Sequence, residues 1–126
     1  MSNKILLAAA LGLGTSLGAM PALAQSACMA PIAPAAVDGA SVTGDQLRAA
    51  IADAKNFIAQ SDVYQECLGK ELDAAKQQAV TDKKKFDKSI ADAAMAKADA
   101  NQKMKEKVGA EANNAIAAYK KAHPAP

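Results

Sequence analysis

The sequence predicts an all-α protein: a long antiparallel two-helix hairpin, with an extended Pro-rich N-terminal segment clipped to the first helix by a disulfide. Three observations predict it. Apolar or small residues recur at three- and four-residue steps over 47–79 and again over 86–119, the spacing of one helix face. Thr81-Asp82-Lys83-Lys84-Lys85, the most polar five residues after the leader, separate the two stretches. Finally, one cysteine lies in the N-terminal segment and the other in the middle of the first stretch.

The chain opens on a signal peptide, 1–24. Lys4 forms a short charged region, Ile5 to Leu17 is largely apolar but too short to span a bilayer, and Ala22-Leu23-Ala24 is an A-x-A exit. Cleavage after Ala24 leaves a mature chain that starts at Gln25 and folds in the periplasm. The formal charge of +2 then falls to about +1, because Lys4 leaves and no acidic residue does. So small a charge steers the protein toward neither nucleic acid nor anionic lipid. No later segment is long and apolar enough to cross a membrane. The roughly 100 mature residues make one small domain. Its apolar content is largely alanine and its only aromatics are Phe57, Tyr64, Phe86 and Tyr119, so its core is thin.

Residues 25–42 form the extended Pro/Ala-rich segment. Pro31 and Pro34 favour polyproline geometry, and Asp38-Gly39 marks a turn at its end. Cys28 and Cys67 are the only cysteines, and an even pair in an oxidising compartment reads first as a disulfide. The segment can span the roughly 36 Å from the helix start to Cys67, since fifteen polyproline steps cover roughly 47 Å. Such a bridge contributes roughly 4 kcal/mol by the loop-entropy model. Lipidation of Cys28 is the rival reading. Gln25-Ser26-Ala27 lacks the large aliphatic residue that a lipobox wants three positions upstream, so a lipid anchor is the weaker alternative.

The helical hairpin occupies 43–121. Thr43-Gly44-Asp45-Gln46 fits a capping box and starts the first helix. Its face runs Leu47, Ile51, Ala54, Ile58, Tyr64, Leu68, Leu72, Ala75 and Ala79. The second face runs Phe86, Ile90, Ala93, Ala100, Met104, Val108, Ala112, Ala115 and Tyr119, with an eleven-residue spacing of Phe86, Val108 and Tyr119 that Lys97 interrupts. Folding near Asp82 or Lys83, in a turn at 81–85, sets Leu47 near Tyr119 and Ile58 near Val108, so that both stripes end together. One continuous helix in an intermolecular coiled coil is the competing arrangement. Lys120 and Lys121 suit the negative end of the helix dipole, and 122–126 is expected to be a disordered tail.

Candidate chemistry is sparse. His123 is the only histidine and has no second ligand at metal spacing, serine nucleophiles lack a histidine base, and no glycine loop cradles phosphate. Carboxylates alternating with lysines read as solvated helix faces, and the cluster Lys83–Lys85 with Lys88 reads as a solvated turn. The expectation is a non-enzymatic protein with no cofactor and no metal, acting through a protein partner or as a homo-oligomer. Phe57, Tyr64 and Tyr119 are candidate contacts. Met104 is assigned to the packed stripe and Met95 to a free interface, because nine residues place them on opposite faces. Asn113 and Asn114 either set register across an interface or are simply exposed. The alternatives are an envelope chaperone that holds clients and a lipid-anchored spacer through Cys28.

Cys28 with Pro31 and Pro34, Asp38-Gly39, the run Tyr64-Gln65-Glu66-Cys67-Leu68, and the late Asn114 with Tyr119 resemble a group of small uncharacterised secreted helical proteins of proteobacteria. The resemblance spans most of the mature chain. It implies a periplasmic hairpin with Cys28 joined to Cys67, and it implies no activity.

Overall fold

The computed structural model describes residues 27–125, so the expected signal peptide lies outside the described residues. Two helices, α1 (Gly44–Thr81) and α2 (Lys88–Ala122), fold back on each other as the antiparallel hairpin. They are about 57 and 53 Å long at 1.5 Å per residue. The continuous-helix alternative is thereby overturned. Among the described residues, no helix is long and apolar enough to cross a membrane.

Local chemistry sets each helix end. The capping box forms as expected: the Gln46 amide donates to Thr43 Oγ1 at 3.2 Å, and Thr43 N–H donates to Gln46 Oε1 at 2.8 Å. The far end of α1 closes without glycine. Lys84 N–H donates to the Ala79 carbonyl and Lys83 N–H to the Val80 carbonyl, the paired bonds of a Schellman motif. Lys83 takes the left-handed conformation there, with φ of 53°. The turn then runs through 82–87. Asp87 caps α2 by accepting from Ser89 N–H at 2.9 Å, which leaves Phe86 half-buried before the helix rather than on its stripe. At the other end, α2 includes Ala122, and His123 caps it. Its N–H donates to the Tyr119 carbonyl, and its ring stacks on Tyr119 at 4.3 Å. Aromatic stacking and a backbone bond thus hold His123, within the segment read as tail, against the helix.

The seam between the helices has heptad spacing. On α1 it follows 47, 51, 54, 58, 61, 65, 68, 72, 75 and 79; on α2 it follows 91, 94, 98, 101, 105, 108, 112, 115 and 119, each buried or half-buried. The first series is nearly the expected one. The second departs from the eleven-residue reading: above Val108 the true face lies one residue further along, so Met104 is 40% exposed and Lys97 is exposed. Asn101 and Lys105 take the inner positions instead. Asn101 Nδ2 donates to the fully buried Ser61 Oγ at 3.1 Å, Gln65 Nε2 donates to Asn101 Oδ1 at 2.9 Å, and Lys105 pairs with Asp62. Cross-seam partners make these polar groups tolerable in a buried position.

Residues 28–38 form a strap along the hairpin. Cys28, Pro31, Pro34 and Val37 are half-buried at every third position, the period of a polyproline helix with one face down. Cys28 is bonded to Cys67, with Cα atoms 5.7 Å apart, and Ala33 packs on the cluster of Ala54, Phe57 and Val108. The strap ends in a turn where Ser41 N–H donates to the Asp38 carbonyl and Ala40 N–H to Asp38 Oδ1. Gly39 in this turn is buried against α2: a Cβ on it would stand 1.8 Å from the Ala115 carbonyl oxygen.

Candidate interaction surface

Covering α1 with a polyproline strap has a geometric consequence. A three-residue period cannot turn all its side chains inward, so the third of the strap that faces away from the hairpin is displayed. Met29 is 88% exposed and Ile32 93% exposed. Beside them α1 presents Val63, 67% exposed, off the seam face. Strap and helix enclose an open groove of about 810 Å³ between these side chains, floored by Phe57 and Tyr64. Among the described residues, Asp53 is the one ionisable side chain along it apart from the bonded cysteines and Tyr64.

The disulfide pins the upper end of this groove. Glu71 supports the pin, because its carboxylate accepts from Cys28 N–H at 3.2 Å. Ligand atoms of Cys28, Cys67 and Glu71 lie within 4.8 Å of one another, but sulfurs joined to each other offer no thiolate pair to a metal. Lipidation of Cys28 is likewise unavailable to the bonded sulfur.

Three carboxyls are held below their usual range, each by local partners. The Ser41 hydroxyl and then the Ala40 N–H act on Asp38, Lys70 acts on Glu66 through a hydrogen bond and its charge, and Ser89 acts on Asp87. A turn, a helix-surface ion pair of 2.7 Å and a helix cap account for them.

The residues expected at an interface are dispersed. Phe57 and Tyr64 are 3% and 8% exposed and form the floor of the groove beneath the strap rather than an outer contact face. Tyr119 is half-buried, with its hydroxyl close to Gly44 and its ring on His123. Met95 is exposed as assigned, whereas Met104, assigned to the packed stripe, is exposed as well. Asn113 and Asn114 are exposed and carry none of the cross-seam bonds; Asn101 occupies the register position in their place. Sequence reasoning missed Met29, Ile32 and Val63. A period-three reading of 28–38 would have found the first two, and the exclusion of Val63 from the α1 stripe was a signal for the third.

The fold and surface together define a disulfide-strapped helical hairpin. Comparison with protein-family models, with curated proteins and with solved structures finds no match to this chain.

Proposed function

We propose that this protein is a non-enzymatic helical protein of the periplasm, exported through its leader, which acts by presenting surface to a protein partner or to another copy of itself. The observation that carries the reading is the groove between strap and α1, where Met29, Ile32 and Val63 stand in solvent on a covalently pinned frame. Contiguous apolar exposure of this kind marks association surfaces. A pinned frame lowers the ordering cost of binding. The disulfide supports an oxidising compartment. Crosslinking in the native envelope, with the chain starting at Gln25 as bait, tests the reading. The expected result is a discrete adduct that Ile32→Asp and Val63→Asp abolish; no adduct of any kind refutes it.

A second reading, a chaperone that holds unfolded clients, draws on the same groove, since a client segment needs an apolar cradle. Suppression of aggregation of a reduced client, lost in Ile32→Asp, is its expected signature. Unchanged client aggregation at stoichiometric protein refutes it.

A further inference from the structure

The α1 wall of the groove, Asn56, Ala59 and Val63, belongs to a longer, outward-facing series with heptad spacing. Ala49, Ala52, Asn56, Ala59 and Val63 follow steps of three and four residues, and all are exposed. These five positions carry no charge, with Asp53 and Lys55 exposed at either edge of them, and an ion pair bounds the series at each end. Asp45 pairs with Arg48 before it, and Glu66 pairs with Lys70 after it. The order along the helix is therefore acid, base, uncharged face, acid, base.

That order is complementary to its own reverse. Laid antiparallel on a second α1 about a two-fold axis near Phe57, Arg48 falls opposite the second copy's Glu66, and Asp45 opposite its Lys70. The two-fold repeats both pairings, giving four contacts of opposite charge and none of like charge. A parallel arrangement sets each of these residues against its own copy and repels at all four. Met29 and Ile32, 88% and 93% exposed, continue the apolar face on the strap side.

We infer that the outer face of α1, with the exposed strap side chains beside it, docks a second copy of this chain antiparallel through a two-fold axis. This deepens the association reading and rests on it. The face runs about 38 Å from Asp45 to Lys70 and is about 10 Å wide, and the strap widens it, for roughly 600 Å² per copy. The total of roughly 1,200 Å² is the low end for a specific interface, which fits a weak, reversible dimer rather than an obligate one.

Sedimentation equilibrium of the oxidised mature chain, from micromolar to millimolar, tests it. The expected result is a reversible monomer–dimer equilibrium within that range. Val63→Asp weakens it at least tenfold, and Arg48→Glu and Glu66→Arg each weaken it severalfold. Arg48→Glu combined with Glu66→Arg recovers most of the affinity, because the swapped charges again oppose. Circular dichroism confirms unchanged helicity in each variant. A monomer at millimolar concentration overturns the inference, as does a dimer indifferent to these substitutions or one not rescued by the charge swap. The broader association reading fails separately, only when crosslinking in the envelope also yields no adduct.

Discussion

Gly39→Ala is the substitution whose effect the structure determines most sharply. Gly39 does not occupy the left-handed region, so its conformational freedom is not what the turn needs. The missing Cβ is. An added methyl would stand 1.8 Å from the Ala115 carbonyl oxygen and 2.6 Å from its carbon. Ordinary carbon–oxygen contact begins near 3.3 Å, so the turn must withdraw from α2 by roughly 1.5 Å. The obstacle is helix backbone, which cannot rotate aside as a side chain can. Withdrawal also lifts Val37 and Pro34 from the channel they share with Ala112 and Ala115. Overpacking costs about 1–3 kcal/mol, and a backbone obstacle places this case near 3. For a domain of this size that lowers Tm by about 12 °C or more. Gly69 supplies an internal control, because a Cβ there meets nothing within 4 Å. Gly69→Ala, in the interior of α1, raises stability by about 1 kcal/mol. Urea unfolding followed by circular dichroism reads both. The same glycine-to-alanine change must act with opposite sign at the two positions; a Gly39→Ala effect below about 0.5 kcal/mol refutes the close approach of strap and α2.

Lys83→Gly removes the Cβ from the left-handed residue that closes α1 and stabilises the hairpin by about 1 kcal/mol; a drop in Tm refutes the assigned Schellman closure. Asn101→Ala removes the donor to the buried Ser61 Oγ and leaves Gln65 only its 3.4 Å bond to Gln102, and it costs about 1–3 kcal/mol in urea unfolding. Ser61→Ala combined with Gln65→Leu and Asn101→Leu is near neutral by the same measurement, since all three polar partners leave together; a large loss would mean that the layer acts through more than these bonds. Replacing Cys28 and Cys67 by serine opens a loop of sequence separation 39 and lowers stability by about 4 kcal/mol. Hydrogen exchange then loses protection first in 28–41; uniform loss along both helices would contradict a separable strap.

Much of the architecture was legible because it is written in local chemistry. The Thr43–Gln46 box, the prolines at 31 and 34 and the even cysteine pair each have a short-range physical meaning, and each stands where expected. The α1 face was legible because large aliphatics mark it. The α2 face was not, because alanines surround the helix and periodicity fades when small residues occupy every side. Reading polar residues as outward then moved the upper half of the stripe from Lys105 to Met104 and from Asn101 to Ala100. The interaction surface was hardest to read. Phe57 stands off the main seam and so looks free, and Tyr64 was read onto the seam face, whereas the seam passes through Ser61 and Gln65 and both aromatics lie under the strap.

By itself, then, the sequence determined two helical stretches and the extended segment, and it favoured the antiparallel return and the Cys28–Cys67 pair over a continuous helix and a lipidated Cys28. Capping, helix period and chain reach carry those readings, and all three are properties of short spans. Only the tertiary structure decided which residues are spent inside. Whether Asn101 and Lys105 face in depends on Ser61, Gln65 and Asp62 across the seam. Whether Phe57 is covered depends on a strap residue, Ala33, that lies far from it in sequence, and whether Gly39 is indispensable depends on a carbonyl far along the chain. Burial is a property of pairs of surfaces, and no single stretch of sequence contains both members.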